Sequence, residues 1–301
     1  MRVFITGASG HVGSALIPEL LGAGHQVVGL ARSDASAAVL VAAGAEVQRG
    51  DLDDLDGLAA AARAADGVIH LAFKHDEMSS GNFEVALDAD RRAIDAMGDA
   101  LAGTGKPFVG TSGTLMLVFG GVTGTGTESD TVAGGPRVDA ENAVVALAER
   151  GVRSSVLRLP PTVHSSLDHH GYVPTLIDLA RQQGRAGYVG DGSNRWPAGH
   201  TLDVARLYRL ALEAAPAGTR WHAVGDEGVP FRRIAEAIGR GLDVPAVSIP
   251  PDDAASSFDF LALFVSLDNP TSSALTQERL GWHPTHPGLL DDLGQAHYFE
   301  T

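Results

Sequence analysis

Short apolar runs alternate with amphipathic stretches through the first half of the chain. Val3, Phe4 and Ile5 form a strand-like run, and Ala15, Leu16, Leu20 and Leu21 recur at helical spacing until Gly22-Ala23-Gly24 stops them. The same reading predicts strands at 26–31, 45–49, 67–72, 107–112 and 153–159. The run from Gly67 to Ala72 is almost continuously apolar, as in a strand buried on both faces. Helices are predicted through Ala38 and Leu40 to Gly44, and at 55–65, 85–101 and 138–149. Ser33 or Asp34 is placed to cap the second helix. Pro18 leaves the Ser14 carbonyl without its usual partner and predicts a slight kink. Strands and helices joined by short links predict a parallel sheet with right-handed crossovers.

Beyond Thr162 the pattern changes to mixed short elements. Helices are predicted at 172–183, 203–214 and 231–242, a strand at 221–224, and a glycine-containing loop at 190–192. No Pro/Ser-rich linker divides the chain. The expected organisation is therefore a domain over 1–163 and a lobe formed mainly by 164–301, with segments around 200–228 returning to the first domain. The Gly/Thr-rich stretch from Gly120 to Asp130 reads either as a mobile loop beside the site or as a plain surface connection.

Composition narrows the class. The 301 residues are 44% hydrophobic and 20% charged, an ordinary globular balance. The net charge of −15 argues against nucleic acid or an anionic membrane as partner and leaves a small-molecule substrate as the expectation. The absence of cysteine removes disulfides, zinc thiolates and a cysteine nucleophile. No charged-then-apolar leader precedes the first strand and no apolar run approaches a membrane span, so a cytoplasmic chain is expected.

The first strand is followed by Thr6-Gly7-Ala8-Ser9-Gly10-His11-Val12-Gly13. Strand, glycine turn and helix in succession form the first unit of a dinucleotide-binding fold. Gly7 allows the tight turn, Gly10 lets a pyrophosphate approach the backbone, and Gly13 lets the helix sit close on the strand. The helix start adds unpaired N–H groups and a partial positive charge.

Further along stand Gly50-Asp51-Leu52, His70-Leu71-Ala72 and Leu157-Arg158-Leu159-Pro160. In order and spacing, the set resembles the short-chain dehydrogenases/reductases, and is most similar to their extended group, the NAD-dependent epimerase/dehydratase type. The segments His200-Thr201-Leu202-Asp203-Val204-Ala205, Ser272-Ser273-Ala274-Leu275 and Leu280-Gly281-Trp282-His283-Pro284 resemble later pieces of that group. The resemblance implies an α/β fold: a Rossmann-type doubly wound parallel sheet with a smaller interleaved substrate-binding lobe. It also implies cofactor contacts at Gly7, Ser9, Gly10, His11, Val12 and Gly13, at Asp51 and Leu52 beside the adenine, and at Leu71, Ala72, Thr111 and Pro160. Arg32, with Ser33, ends the second strand, where an acid would hold the ribose hydroxyls of NAD and an arginine accommodates a 2′-phosphate. Asp34, the nearest acid, comes two positions late. NADP(H) is therefore favoured over NAD(H); the alternative is a solvent-facing Arg32.

The catalytic pattern departs from the family. Its reductases use a Ser/Thr after the fifth strand and a Tyr-x-x-x-Lys pair on the next helix. Glu141, 17 residues before Arg158, registers that helix; the lysine position then falls on Arg137 and the tyrosine position on Ala133. The tyrosines are Tyr172, Tyr188, Tyr208 and Tyr298, and none is near. Arg137 keeps its charge and cannot shuttle protons. It is left to bind a ribose or phosphate, or simply to pair with Glu141 one turn on. The Ser/Thr position falls at Gly113 or Thr114, which leaves Ser112 and Thr114 as hydroxyl candidates. Substitute proton donors follow the fourth strand at His75, beside Asp76, and the sixth strand at His164, Asp168, His169, His170 and Tyr172. Adjacent histidines on a loop diverge, so no metal is expected. Trp196 and the aromatics from Phe258 to Phe264 read as an apolar substrate pocket or as core packing.

These readings lead to an expected NADPH-dependent oxidoreductase acting on a small, fairly apolar carbonyl. A nucleotide-binding regulator or redox sensor and a non-redox isomerase or lyase of the same fold are the alternatives. Helices 85–101 and 138–149 resemble the pair through which extended relatives dimerise, which leaves monomer or homodimer open.

Overall fold

The computed structural model describes residues 1–300. Twelve strands form in chain order: β1 Arg2–Thr6, β2 Gln26–Ala31, β3 Glu46–Arg49, β4 Gly67–His70, β5 Pro107–Gly113, β6 Arg153–Leu159, β7 Thr162–His164, β8 Ala186–Val189, β9 Arg195–His200, β10 Thr219–His222, β11 Asp226–Pro230 and β12 Ala246–Ile249. Seven of them make a parallel sheet in the order β10-β6-β5-β4-β1-β2-β3. Strand order reverses between β1 and β4, the switch point where open α/β sheets bind ligands at the carboxyl ends of their strands.

The helices used below are α1 His11–Gly22, α2 Asp34–Ala42, α3 Leu55–Ala64, α4 His75–Ser79, α5 Phe83–Leu101, α6 Leu115–Phe119, α7 Val138–Ala146, α8 Tyr172–Gln183, α9 Thr201–Ala214 and α10 Phe231–Leu242. On one face of the sheet α1 and α9 bury Leu16, Ile17, Leu20, Leu207, Tyr208 and Leu212, with Trp221 and Trp282 beside them. On the other, α3, α5 and α7 bury Leu58, Ile94, Met97 and Val144 against Phe4 and Phe108. A separate core gathers Ile177, Trp196, Phe231, Ile234, Ile238, Phe258 and Leu261 around two small sheets, β11-β9-β7 and β12-β8. Residues 204–223 and Trp282 thus belong to the first core, whereas residues from 173–198 and 229–265 build most of the second.

Local chemistry explains the element ends. Ser33 caps α2 in a reciprocal capping box with Ser36. Pro18 lies within α1 on its exposed side. β4 stops at His70, two residues earlier than its apolar run suggests, because β1 ends opposite it at Thr6 and the chain turns at Gly7. The helix predicted to reach Glu149 ends at Ala146 and tightens into a 3₁₀ turn over Leu147–Arg150.

Within the Gly120–Asp130 stretch, residues 120–125 run mostly exposed, whereas the second half is tied to the C-terminal part of the chain. Gly126 exchanges backbone hydrogen bonds of 2.8 Å with the Pro270–Ser272 segment. The buried Glu128 accepts 2.7 Å bonds from the amide and hydroxyl of Thr276. Among the described residues no helix is long and apolar enough to cross a membrane.

Candidate active site

The glycine turn has the form a pyrophosphate needs. Gly7 has φ +73°, and a Cβ there would lie 2.7 Å from the amide nitrogen of Ala72. A Cβ on Gly13 would sit 2.3 Å from the Gly7 carbonyl oxygen, so only glycine lets α1 lie this close to the turn. Gly10 is exposed and begins α1 without any side-chain cap, which leaves the first-turn amides for an anion. Ser9 and Val12 flank that opening, both half-buried. His11 contributes no charge to it. Its Nε2 is 2.7 Å from the Thr201 hydroxyl, and burial, with His169, His164 and His200 nearby, pushes its pKa down to about 4.

Around the adenosine end the fit is uneven. Arg32 is exposed and pairs at 2.8 Å with Asp76. Ser33 caps α2, its hydroxyl accepting the Ser36 amide at 3.1 Å, and is exposed next to Arg32 with its O–H still able to donate. The Asp51 carboxylate accepts the Asp53 amide at 2.8 Å, and the Leu52 side chain is buried in the core, so Leu52 can offer only backbone.

A buried chain holds the loop after β4. The Thr6 hydroxyl is 2.6 Å from His70 Nδ1, and His70 Nε2 is 3.0 Å from the Asp90 carboxylate. The Thr6 oxygen also accepts the Ala72 amide at 3.2 Å, which fixes Leu71 and Ala72 beside the glycine turn. On the opposite face of the sheet, toward α9, the Thr111 hydroxyl donates to the His70 carbonyl at 2.7 Å, with the Tyr208 hydroxyl also 2.7 Å away.

Neither proposed catalytic hydroxyl reaches an open surface. Ser112 points to the opposite face of β5, is buried, and lies beside Glu141. Thr114 is completely buried and accepts a 2.9 Å bond from the Asn269 amide nitrogen. Both assignments are corrected on these grounds. Pro160, also buried, marks where the chain leaves β6 for the second lobe.

Arg137 does not pair with Glu141. Glu141 is buried and turned inward, where it receives Arg158 at 2.6 Å and Arg220 at 2.6 Å. Burial alone would raise its pKa, but these hydrogen bonds and the Arg158 charge hold the carboxyl below its usual range. Arg137 instead takes a left-handed backbone (φ 61°) and lays its guanidinium over the Phe73 ring at 4.1 Å, 3.4 Å from the Thr111 carbonyl.

The Arg137 charge acts on two of the substitute donors. The His75 ring meets the same Phe73 edge-on at 5.3 Å. Loss of water around it, then the Arg137 charge, lowers its pKa, with Asp76 and Asp90 opposing. Tyr172 opens α8, stacks on Phe264 at 5.7 Å, and has its pKa raised by burial, with Arg137 opposing. His75 and Tyr172, about a hundred residues apart, therefore lie in the field of one guanidinium.

The remaining candidates sit elsewhere. His164 is buried against Asp292 at 2.8 Å. Asp168 is buried 3.7 Å from His11, and burial pushes its pKa up to about 6. His169 and His170 are exposed with rings 6.4 Å apart. The donor atoms of His200, Asp203 and His286 fall within 4.8 Å of one another, but Asp203 already accepts from the Thr285 and His286 amides and the His286 ring, closing the C-terminal segment onto α9. Trp196 and Phe258 are core, whereas Phe260 is half exposed beside Tyr172.

A glycine-turn sheet of Rossmann type, with a second lobe that begins at the carboxyl edge of β6, defines an NAD(P)-dependent enzyme of the short-chain dehydrogenase/reductase type. The model of the NAD dependent epimerase/dehydratase family matches residues 3–223, and the chain belongs to that family. It is 47% identical to an uncharacterised protein of Schizosaccharomyces pombe over 99% of this chain and 100% of the relative. A 2-alkyl-3-oxoalkanoate reductase of Stenotrophomonas maltophilia is 29% identical over 86% of this chain and 79% of its own. In fold it is similar to the dTDP-glucose 4,6-dehydratase DesIV of Streptomyces venezuelae, at a TM-score of 0.77, 20% identity, and coverage of 99% and 96% of the two chains.

Proposed function

We propose that the protein is an NADPH-preferring oxidoreductase that interconverts a carbonyl and an alcohol on a small, fairly apolar molecule. The observation that carries this reading is the meeting of His75 and Arg137 on the Phe73 ring just after β4, with Tyr172 within range of the same guanidinium charge. Bound cofactor supplies or accepts the hydride. Tyr172, which burial keeps protonated, donates the proton to the carbonyl oxygen in reduction and takes it back in oxidation, with His75, whose pKa burial lowers, as the other candidate for that same exchange. The glycine turn holds the pyrophosphate through backbone amides, and Arg32 takes the 2′-phosphate by exchanging its Asp76 partner for it. Phe260, Phe264 and Tyr172 suit an apolar substrate body, in keeping with the alkyl-substituted oxoalkanoate in the reductase relative's name.

The test is to titrate NADPH and NADH by fluorescence and then follow NADPH loss over a carbonyl panel. His75→Ala and Tyr172→Phe should each cut turnover at saturating NADPH by roughly 10²–10⁴-fold without weakening cofactor binding. Unchanged turnover in both removes the two residues from the chemistry; tight NADPH binding with no turnover on any carbonyl removes the reaction.

A further inference from the structure

We infer that Arg137 anchors a carboxylate of the substrate, so that the molecule handled here is an apolar oxo or hydroxy acid and not a neutral ketone. The inference rests on the oxidoreductase reading above for the word substrate, but the anchor itself stands on the surroundings of one side chain.

Among the described residues no carboxylate lies within ion-pair distance of Arg137, although two acids follow it closely in the chain. Glu141 is committed to Arg158 and Arg220. Asp139 turns back to accept the Gly135 amide at 3.2 Å. What Arg137 does touch is weak: the face of Phe73 at 4.1 Å and the Thr111 carbonyl at 3.4 Å. A stacked guanidinium keeps its edge N–H groups in a planar fork, the shape that receives a carboxylate through two parallel bonds. The backbone is held for this purpose in a conformation that a non-glycine residue adopts at a cost, φ 61° and ψ −24° at the start of α7. Aromatic surface is at hand for the rest of such a molecule: Phe73 lies under the cation, and Tyr172, within range of its charge, stacks on Phe264 and meets Phe260 edge-on. A charged head with an apolar body fits that sequence of contacts; a sugar does not.

Equilibrium binding separates this role from a contact to the cofactor ribose. 3-Phenylpropanoate and its amide are titrated calorimetrically into the NADPH-loaded wild type, Arg137→Met and Arg137→Lys, with NADPH affinity measured in parallel. Wild type should bind the acid at least tenfold tighter than the amide. Arg137→Met should lose roughly 10–100-fold on the acid, with amide and NADPH affinities unchanged. Arg137→Lys, with charge but no fork, should fall between. Wild-type affinities equal for acid and amide overturn the proposal without reference to any variant. A loss of NADPH affinity in Arg137→Met as large as the loss on the acid also overturns it, in favour of ribose binding. An acid preference that holds while no carbonyl is turned over supports the anchor and refutes only the proposed reaction.

Discussion

Replacing Glu141 by glutamine removes the charge at the centre of a buried cluster and leaves its partners behind. Glu141 and Arg158 are 3% and 1% exposed, and the carboxylate accepts three bonds of 2.6–3.2 Å from Arg158 and one of 2.6 Å from Arg220. Glutamine keeps the volume but not the compensation, and one of its amide hydrogens must face a guanidinium. Breaking a buried pair on one side costs about 3–5 kcal/mol, because the surviving charge stays desolvated. With an unfolding entropy of about 2 cal/mol/K per residue, a chain of this length should lose roughly 5–8 °C in Tm. Arg220, less buried at its side chain, can relax toward solvent and brings the value to the lower part of that range. The assay is urea unfolding followed by tryptophan fluorescence, with Trp221 next to the cluster as a reporter on β10. Glu141→Gln combined with Arg158→Met should regain most of the loss, since a buried pair replaced by an apolar group is often close to neutral. A loss under about 1 kcal/mol in the single variant, or a double variant worse than the single, refutes the claim that the pair is mutually compensated.

Two further outcomes follow from the same structure. Arg32→Ala should weaken NADPH by roughly 10–100-fold and leave NADH unchanged, whereas Asp76→Asn should shift NADPH by no more than a few-fold, because an exposed pair is worth about 0–1 kcal/mol; fluorescence titration checks both, and equal effects of Arg32→Ala on the two cofactors refute the phosphate role. Stability should fall between pH 7 and pH 5, because burial holds the pKa of His200 and His222 down to about 4 and the unfolded chain takes up protons that the native state refuses. Their contribution is complete above pH 6.5 and is lost as the pH falls toward 4, at up to about 1.4 kcal/mol per unit for each group. His11 and Asp168 nearly cancel near pH 5, since the native pair keeps on Asp168 the proton that the unfolded chain carries on the histidine. Denaturant titrations with equal or greater stability at pH 5 contradict this balance.

The parallel sheet was legible because its strands are buried on both faces and its helices keep one apolar stripe, so periodicity and burial coincide. The glycine turn was legible for a related reason: each glycine answers a steric demand of its own chain, as the Cβ positions at Gly7 and Gly13 make plain. The small strands β7, β8, β11 and β12 were not, being three to five residues long and paired across large separations. Buried polar partners were hidden in the same way. Asp90 lies on the apolar face of α5 between Ala89 and Ala93, a charge where the helical pattern asks for none, and that misfit was the available signal for the His70 contact. Ser112 and Thr114 misled because sequence order says nothing of which strand face a hydroxyl occupies until the register of β5 against β6 is known. Arg137 misled because its helical spacing to Glu141 holds only inside a helix, and Arg137 stands at the end with a left-handed backbone.

The missing tyrosine at position 133 and the chemistry around Phe73 bear on each other. In the family pattern one tyrosine serves both directions, because a lysine one turn on lowers its pKa toward neutrality. Arg137 occupies that lysine position but stacks on Phe73, and Tyr172, at the start of α8, has its pKa raised by burial despite the charge of that guanidinium. Such a tyrosine gives up a proton only to an oxygen that is gaining negative charge, and it is a poor base. His75 has the opposite bias: its lowered pKa leaves a free ring nitrogen at pH 7 and makes it a poor acid. Whichever of the two exchanges the proton with the substrate oxygen does so in both directions, because reduction and oxidation share one transition state. Removing it should therefore lower kcat/KM for reduction and for oxidation by the same factor, and turnover unchanged in both Tyr172→Phe and His75→Ala refutes the reading.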